Sequence, residues 1–179
     1  FSFYYHASVT PIIVKSSIMT FYLACAAFII ATAVGIPLGI LAALYQQRTW
    51  DRLAVLIALV SMSIPNFVFG PILIILFAVN LQWLPIGASE GVLSIVLPAL
   101  TLGLSLAALT MRMTRASVIE VLREPYILAV RAKGLSQSRI MLAHVFRNAL
   151  LPVITTLGLQ LGMLLGGAVI TEAIFSWPG

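Results

Sequence analysis

Seven of the chain's ten lysines and arginines lie within residues 112–152, and they are the residues best able to take part in specific chemistry. They are Arg112, Arg115, Arg123, Arg131, Lys133, Arg139 and Arg147. Guanidinium and ammonium groups bind carboxylates, phosphates and anionic lipid headgroups. This stretch therefore predicts a binding surface rather than a catalytic centre.

The composition around this basic stretch is that of a membrane protein. The chain is 61% hydrophobic and 8% charged, whereas a soluble domain carries about 25% charged residues. A soluble fold of this size could not bury so much apolar surface. The net charge of +5 is concentrated in one stretch, which favours orientation in a membrane over nucleic-acid binding. Cys25 is a lone packing residue with no disulfide or metal-ligand companion.

Four apolar segments are long enough to cross a bilayer, and they predict an all-α polytopic fold with about four transmembrane helices. The predicted spans are residues 18–44, 53–79, 95–110 and 149–171. The segments between them alternate between basic and poor in Lys and Arg. By the positive-inside rule, residues 45–52 and 112–148 lie in the cytoplasm. Residues 80–94, with Trp83, Gly87 and Glu90, lie outside, and Glu172 marks the outer interface.

Small residues recur at a four-residue spacing on two of the predicted spans. Gly35 and Gly39 flank Pro37, and they indicate either close packing against another helix or a hinge; we favour packing. Gly158, Gly162 and Gly166 form a longer stripe on the last span, which predicts close contact with a helix of the same or another chain.

Polar residues in the middle of the second span indicate a second candidate site. Ser61, Ser63 and Asn66 flank Pro65, and polar groups at membrane depth need partners. The serines could bond back to their own helix. Alternatively, a bent helix with Asn66 could line a water-filled pathway. In the loop before this span, Asp51 is a candidate N-cap.

The basic stretch itself has the local signals of two helices joined by a glycine. Pro125 predicts the start of a short helix, with Glu124 near its positive end. Arg131 and Lys133 fall in its last turn, and Gly134 supplies a left-handed stop. Ser136 could cap a second helix. The pattern predicts a cytoplasmic helix–elbow–helix.

Several short motifs from about Thr114 onward give the chain a specific resemblance. They are Arg115-Ala116-Ser117, Arg131-Ala132-Lys133-Gly134-Leu135, His144, Arg147-Asn148-Ala149, Pro152, and the ending from Gly166-Gly167-Ala168 through Glu172 and Phe175 to Trp177-Pro178-Gly179. With these motifs the chain resembles the inner-membrane permease subunits of bacterial ABC importers, in the dipeptide, oligopeptide and nickel branch.

The resemblance implies that the basic stretch is the "EAA" loop, which docks on an ATP-binding subunit. The general motif begins Glu-Ala-Ala, but here Leu128, Ala129 and Val130 occupy those positions, and the proline that ends the general motif is missing. These departures favour the peptide branch. The residues expected to couple to the ATPase are Glu124, Ala129, Arg131, Ala132, Lys133, Gly134 and Leu135. The alternative is that the basic side chains only anchor the loop to anionic lipid.

The resemblance also implies a set of partners. These are a second permease subunit, two cytoplasmic ATP-binding subunits, an extracytoplasmic substrate-binding protein and the lipid of a bacterial inner membrane. No phosphate loop occurs, so ATP is expected on the partner chain, and no cofactor or metal is expected in this one. We expect residues 1–179 to form one permease domain, with further spans before and after it.

The expected function is a passive pathway for di- or oligopeptides that the ATPase drives, with nickel or glutathione as alternative cargo. An ion-coupled secondary transporter is the rival, although the predicted spans lack the charged residues that such transporters place at membrane depth. An enzyme is disfavoured because His6 and His144 fall in opposite compartments and no catalytic set can assemble.

Overall fold

The computed structural model describes residues 9–86 and 91–179, and every regular element in this part of the chain is a helix. The predicted all-α fold is therefore confirmed. His6, Gly87 and Glu90 lie outside the described residues.

The helices follow one another with short connections. In chain order they are α1 (Val9–Leu44), α2 (Thr49–Ser63), α3 (Asn66–Leu73) with a π-helical continuation (Ile74–Asn80), a 3₁₀ turn (Val92–Ile95), α4 (Val96–Leu122), α5 (Pro125–Ala132), α6 (Gln137–Arg139) with a π-helical continuation (Ile140–Phe146), α7 (Arg147–Gly167) and α8 (Val169–Ile174).

Three helical stretches in the described residues are long and apolar enough to cross a membrane: Val9–Leu44, Leu93–Leu122 and Gln137–Gly166. The pair Thr49–Ser63 and Asn66–Asn80 makes a fourth if it is counted as one broken span. The helix that carries the last predicted span differs from that span at both ends. It begins in the basic stretch, at Gln137 rather than Ala149, and is interrupted after Gly167.

The break between α2 and α3 lies at Pro65, as the position of the proline in the sequence suggests. Pro65 is extended, with φ −62° and ψ 145°, and a residue before proline is also disfavoured in the helical region. The carbonyl oxygen of Pro65 accepts hydrogen bonds from the N–H groups of Val68 and Phe69, at 2.9 and 3.0 Å. Pro65 therefore ends one helix and starts the next.

The chain folds into two compact units. The first contains Ile64–Gly103, Leu161–Gly179 and the part of α1 up to Ile29. In it α3 packs against α8, and Leu73, Leu97 and Phe175 form one buried hydrophobic cluster. The second unit contains Ile30–Ser63 and Leu104–Gln160. The single permease domain expected from the sequence stays a prediction.

A buried carboxyl group fixes the last residues of the first unit. The Thr20 hydroxyl donates to Glu172 Oε1 at 2.6 Å, and Trp177 Nε1 donates to the Met19 carbonyl at 3.1 Å. Glu172, predicted to mark an interface, is only 7% exposed. Both hydrogen bonds join α1 to residues that follow α7, and no pattern in the sequence predicted this contact.

In the second unit α1 and α4 approach so closely that only glycine fits at positions 35 and 39 of α1. A Cβ atom on Gly35 would lie 2.7 Å from Thr110 Cβ and 2.8 Å from the Ala107 carbonyl oxygen. A Cβ atom on Gly39 would lie 2.6 Å from Thr114 Cβ and 2.7 Å from the Met111 carbonyl oxygen. The backbone of α4 blocks both positions, so a flexible side chain cannot simply move away.

Gly35→Ala is therefore expected to destabilise the chain by about 1–3 kcal/mol, the usual cost of overpacking. The matched control, measured on the same chain of residues 1–179, is Gly158→Ala on α7, where an added Cβ would meet no described atom within 4 Å. That variant should match or slightly exceed the wild type, because alanine is the better helix former. Reversible unfolding in mixed detergent micelles measures both, and equal losses would contradict the close α1–α4 contact.

Candidate functional site

The candidate site that the structure defines in most detail is the elbow. We define the elbow as residues 125–146, which comprise α5, the turn at Gly134 and the first part of the helix that follows. Its first helix begins where α4 ends. The N–H groups of Arg123 and Glu124 donate to the carbonyls of Glu120 and Val121 at 3.0 and 3.1 Å. Glu124 is extended and Pro125 takes the first helical position. The predicted start of α5 is confirmed.

Gly134 ends α5 because its backbone adopts a conformation that other residues avoid. Its φ is +78°, in the left-handed region that glycine enters at no steric cost. Its N–H donates to the Arg131 carbonyl at 3.0 Å. An added Cβ would meet nothing within 4 Å in the part of the chain that the structure describes. The requirement for glycine here is thus one of backbone conformation rather than space, and the predicted left-handed stop is confirmed.

The second helix of the elbow differs from the prediction in two ways. Ser136 occupies the N-cap position, but its side chain makes no capping hydrogen bond. The helix also runs on into α7 without a break, through the π-helical turn Ile140–Phe146. The elbow is therefore the extension of a candidate membrane span, so that a displacement of the elbow would act directly on that span.

The inner face of the elbow is packed into a hydrophobic core. Ile127 of α5 is fully buried together with Val118 of α4, Ile140 and Val145 of the second helix, and Ala43 near the end of α1. This core joins α5 to three other helices. Burial of a large aliphatic side chain contributes about 1.5–3 kcal/mol, so Ile127 anchors the elbow.

A polar contact at one side of this core fixes α5 to the second helix. Asn148 Nδ2 donates to the Tyr126 hydroxyl at 2.6 Å, and that hydroxyl donates to the His144 carbonyl at 3.3 Å. His144 and Asn148 belong to the motifs noted in the sequence. Their contacts here are to the elbow itself.

The outer face of the elbow, together with the adjoining Glu124, carries nearly all the residues predicted to couple to an ATPase. Glu124, Ala129, Arg131, Ala132, Lys133 and Gly134 are exposed. Leu135 is half-buried and packs on the hydrophobic core. Leu128, between the predicted residues, is 63% exposed. The role of these residues stays a prediction.

Beside the elbow, an ion pair that the sequence did not reveal ties the α1–α2 turn to α4. Arg115 donates from Nε to Asp51 Oδ1 at 2.6 Å and from Nη2 to Asp51 Oδ2 at 2.8 Å. The second carboxylate oxygen also accepts the Gln47 backbone N–H at 2.9 Å. The Asp51 side chain is 4% exposed and that of Arg115 26%. This bidentate geometry is the strong form of the pair.

The proposed capping role of Asp51 was wrong. Helix α2 begins at Thr49, and Asp51 lies inside its first turn. Its carboxylate bonds to Arg115 and to the preceding turn instead. A cap is a local feature that a sequence can suggest, whereas this partner lies 64 residues away.

A second buried polar contact that the sequence did not reveal joins α4 to α7. Gln160 is 2% exposed; its Oε1 accepts from the Thr110 hydroxyl at 3.1 Å, and its Nε2 donates to the Leu106 carbonyl at 3.4 Å. Thr110 also faces Gly35 of α1. One threonine thus contacts two other helices of the second unit.

The predicted pathway residues are placed on either side of the break at Pro65. The Ser63 hydroxyl donates to the Leu59 carbonyl of its own helix at 2.9 Å, the first of the two alternatives. Ser61 is half-buried on the same helix, and Asn66 begins α3. A pathway lined by these residues stays a prediction.

The glycine stripe of α7 faces no part of the described chain. An added Cβ at Gly158, Gly162 or Gly166 would meet no atom of residues 9–86 or 91–179 within 4 Å. Leu159 and Met163, on the same helix, are 65% and 72% exposed. If the stripe packs against a helix, that helix belongs outside the described residues.

Comparison with known proteins gives one consistent result. Residues 35–179 match the family model of the binding-protein-dependent transport system inner membrane component. The chain is 43% identical over 160 residues to the glutathione transport system permease protein GsiC of Escherichia coli K12, covering 89% of this chain and 52% of that protein. The Pectobacterium atrosepticum protein of the same name is 42% identical, with the same coverage. The chain thus spans about half the length of these curated relatives.

Two solved structures share the fold at low sequence identity. One is a chain of the MetNI methionine ABC transporter in inward-facing conformations, with a TM-score of 0.77, 19% identity, and coverage of 94% of this chain and 77% of that one. The other belongs to an amino acid ABC transporter with histidines, with a TM-score of 0.66, 18% identity, and coverage of 97% and 77%.

Proposed function

This chain belongs to the binding-protein-dependent transport system inner membrane component family, and from that premise we propose that it forms part of the pathway of an ATP-driven importer. It is an inner-membrane permease component. The elbow is the part of the chain that receives force from a separate ATP-binding subunit. The second helix of the elbow continues into α7, so displacement of the elbow tilts or shifts a membrane span.

The single observation that supports this proposal most strongly is the two-sided construction of the elbow. On its inner face Ile127 is fully buried against three other helices, while its outer face exposes Leu128 and the cations Arg131 and Lys133. An anchor for lipid alone would need cations but not a rigid, packed backbone. A lever needs both a firm attachment and a free surface for the driving partner.

The proposed assembly contains a second permease subunit and two ATP-binding subunits, with a substrate-binding protein on the outer side. The glycine stripe of α7 is the surface we assign to a helix outside the described residues, either of the rest of the permease or of its partner. Close helix approach through glycine is a main source of association in lipid.

We further propose that the cargo is a small peptide, with glutathione as the first candidate. The support is the 43% identity to permeases named for glutathione transport. Uptake of labelled glutathione and of labelled dipeptides by a strain that carries the complete transporter, compared with a deletion strain, tests this choice. Nickel uptake without peptide uptake would contradict it.

The ATPase contact is tested by a substitution on the exposed face of α5. Leu128→Glu should reduce co-purification of the ATP-binding subunit by roughly 30-fold or more, since a hot-spot residue contributes about 2 kcal/mol or more. Leu128→Met, which keeps the apolar contact, is the matched control and should retain the subunit. Transport should fall in the first variant only. Full recovery of the ATP-binding subunit with Leu128→Glu would contradict the proposed docking face.

A further inference from the structure

A groove in the second unit lies between the end of α1 and the start of α2, and the pathway and the elbow make no use of it. Its volume is about 420 Å³, within the range of small-molecule sites. The lining is mostly apolar, from Leu38, Leu41, Ala42 and Ala54, and it ends at Tyr45, Arg48 and Trp50. Apolar walls with a polar end match an amphiphilic molecule.

The polar end of the groove has an uncompensated positive charge. The Arg48 guanidinium carbon lies 5.8 Å from the centroid of the Tyr45 ring, which holds the cation at the mouth of the groove. The acidic residue closest to Arg48 in the sequence is Asp51, in the first turn of α2, and it is already paired with Arg115. Within residues 9–86 and 91–179, Arg48 makes no ion pair. An anionic ligand would therefore find a free cation at this end.

The exposure of the lining residues favours a lipid over a soluble ligand. Leu38 and Leu41 are 45% and 50% exposed, and Trp50 is 74% exposed. They lie on helices that carry candidate membrane spans. Tryptophan and tyrosine concentrate at membrane interfaces, and basic pockets between membrane helices on the cytoplasmic side bind anionic headgroups.

We propose that this groove binds one anionic phospholipid of the inner leaflet. An acyl chain lies along Leu38, Leu41 and Ala54, and the headgroup phosphate pairs with Arg48 beside Tyr45 and Trp50. The site is independent of the ATP-driven mechanism proposed above. It requires only that the α1–α2 turn lies at the inner surface of the membrane.

The test uses the complete transporter in lipid nanodiscs with two photoactivatable lipids that share one diazirine-labelled acyl chain. One has a phosphatidylglycerol headgroup and the other phosphatidylcholine. Cross-links to residues 38–54 are quantified by mass spectrometry. The anionic lipid should label this segment more than the zwitterionic one, and Arg48→Gln should reduce its labelling about five-fold, the effect of one basic residue near anionic lipid.

Two variants make the result specific. Arg48→Lys should keep most of the labelling because a lysine also pairs with a phosphate. Arg52→Gln removes the same charge from an exposed residue that does not line the groove and should label like the wild type. Equal labelling by the two lipids, an equal loss with Arg52→Gln, or protection of the segment by another protein chain would each overturn the proposal.

Discussion

Asp51→Ala should destabilise the second unit by about 3 kcal/mol, because it removes one partner of a buried pair and leaves the other charge unpaired. The carboxylate accepts three hydrogen bonds, two from Arg115 and one from the Gln47 backbone. All three are lost together. The partial exposure of Arg115 lets its guanidinium reach water, which keeps the loss at the lower end of the range for buried pairs. Unfolding in mixed detergent micelles measures the effect.

Two further variants separate the ion pair from a general effect of lost charge. Glu120→Ala removes an acidic residue from exposed α4 surface and should change the stability by no more than about 0.5 kcal/mol. The double variant Asp51→Ala/Arg115→Ala should be no less stable than Asp51→Ala alone, because no unpaired charge remains. Additive losses from the two single substitutions would show that the pair is not coupled.

The elbow could be predicted from the sequence because its signals are local. Pro125 fits only the first turn of a helix, and Gly134 fits the left-handed residue that follows one. Each signal acts on the backbone within a few residues of itself. The structure confirms both positions. The long apolar spans were predictable for a similar reason, because the apolar composition of each segment alone indicates that it crosses a membrane.

The contacts that hold helices together could not be predicted in this way. Asp51 and Arg115 are 64 residues apart, Thr110 and Gln160 are 50 apart, and Thr20 and Glu172 are 152 apart. Nothing in the pattern around one member of a pair identifies the other. Local reasoning instead assigned Asp51 to a helix cap. A buried polar residue in an apolar span does signal that a partner exists, as at Gln160, but does not identify it.

The glycines show which helix contacts a sequence pattern can predict and which it cannot. Gly35 and Gly39 share the four-residue spacing of Gly158, Gly162 and Gly166. A Cβ atom on either of the first two would clash with α4, whereas a Cβ atom on any of the last three would meet no described residue within 4 Å. Spacing identifies a face that can approach another helix closely. Which helix approaches depends on the fold and on the assembly, and two identical patterns can therefore have different partners.

Ile127→Ala should lower stability and Leu128→Ala should weaken docking, although the two residues are neighbours on α5. Ile127 is fully buried and Leu128 is 63% exposed. Truncation of the buried residue leaves a cavity and should cost about 2–4 kcal/mol of stability. Truncation of the exposed residue should leave stability within about 0.5 kcal/mol while weakening the hold on the ATP-binding subunit.

This pair of variants tests whether the elbow acts as a lever. With Ile127→Ala, the ATP-binding subunit still meets an intact outer face, so it should co-purify and hydrolyse ATP, but a loosely anchored elbow should move less cargo per ATP. With Leu128→Ala, the number of cargo molecules carried per ATP should stay constant. The rates of transport and of ATP hydrolysis should both fall, because fewer permeases hold an ATP-binding subunit. Transport and hydrolysis measured together in proteoliposomes distinguish the two effects. If Ile127→Ala left the ratio of cargo to ATP unchanged, the buried face of α5 would serve stability alone.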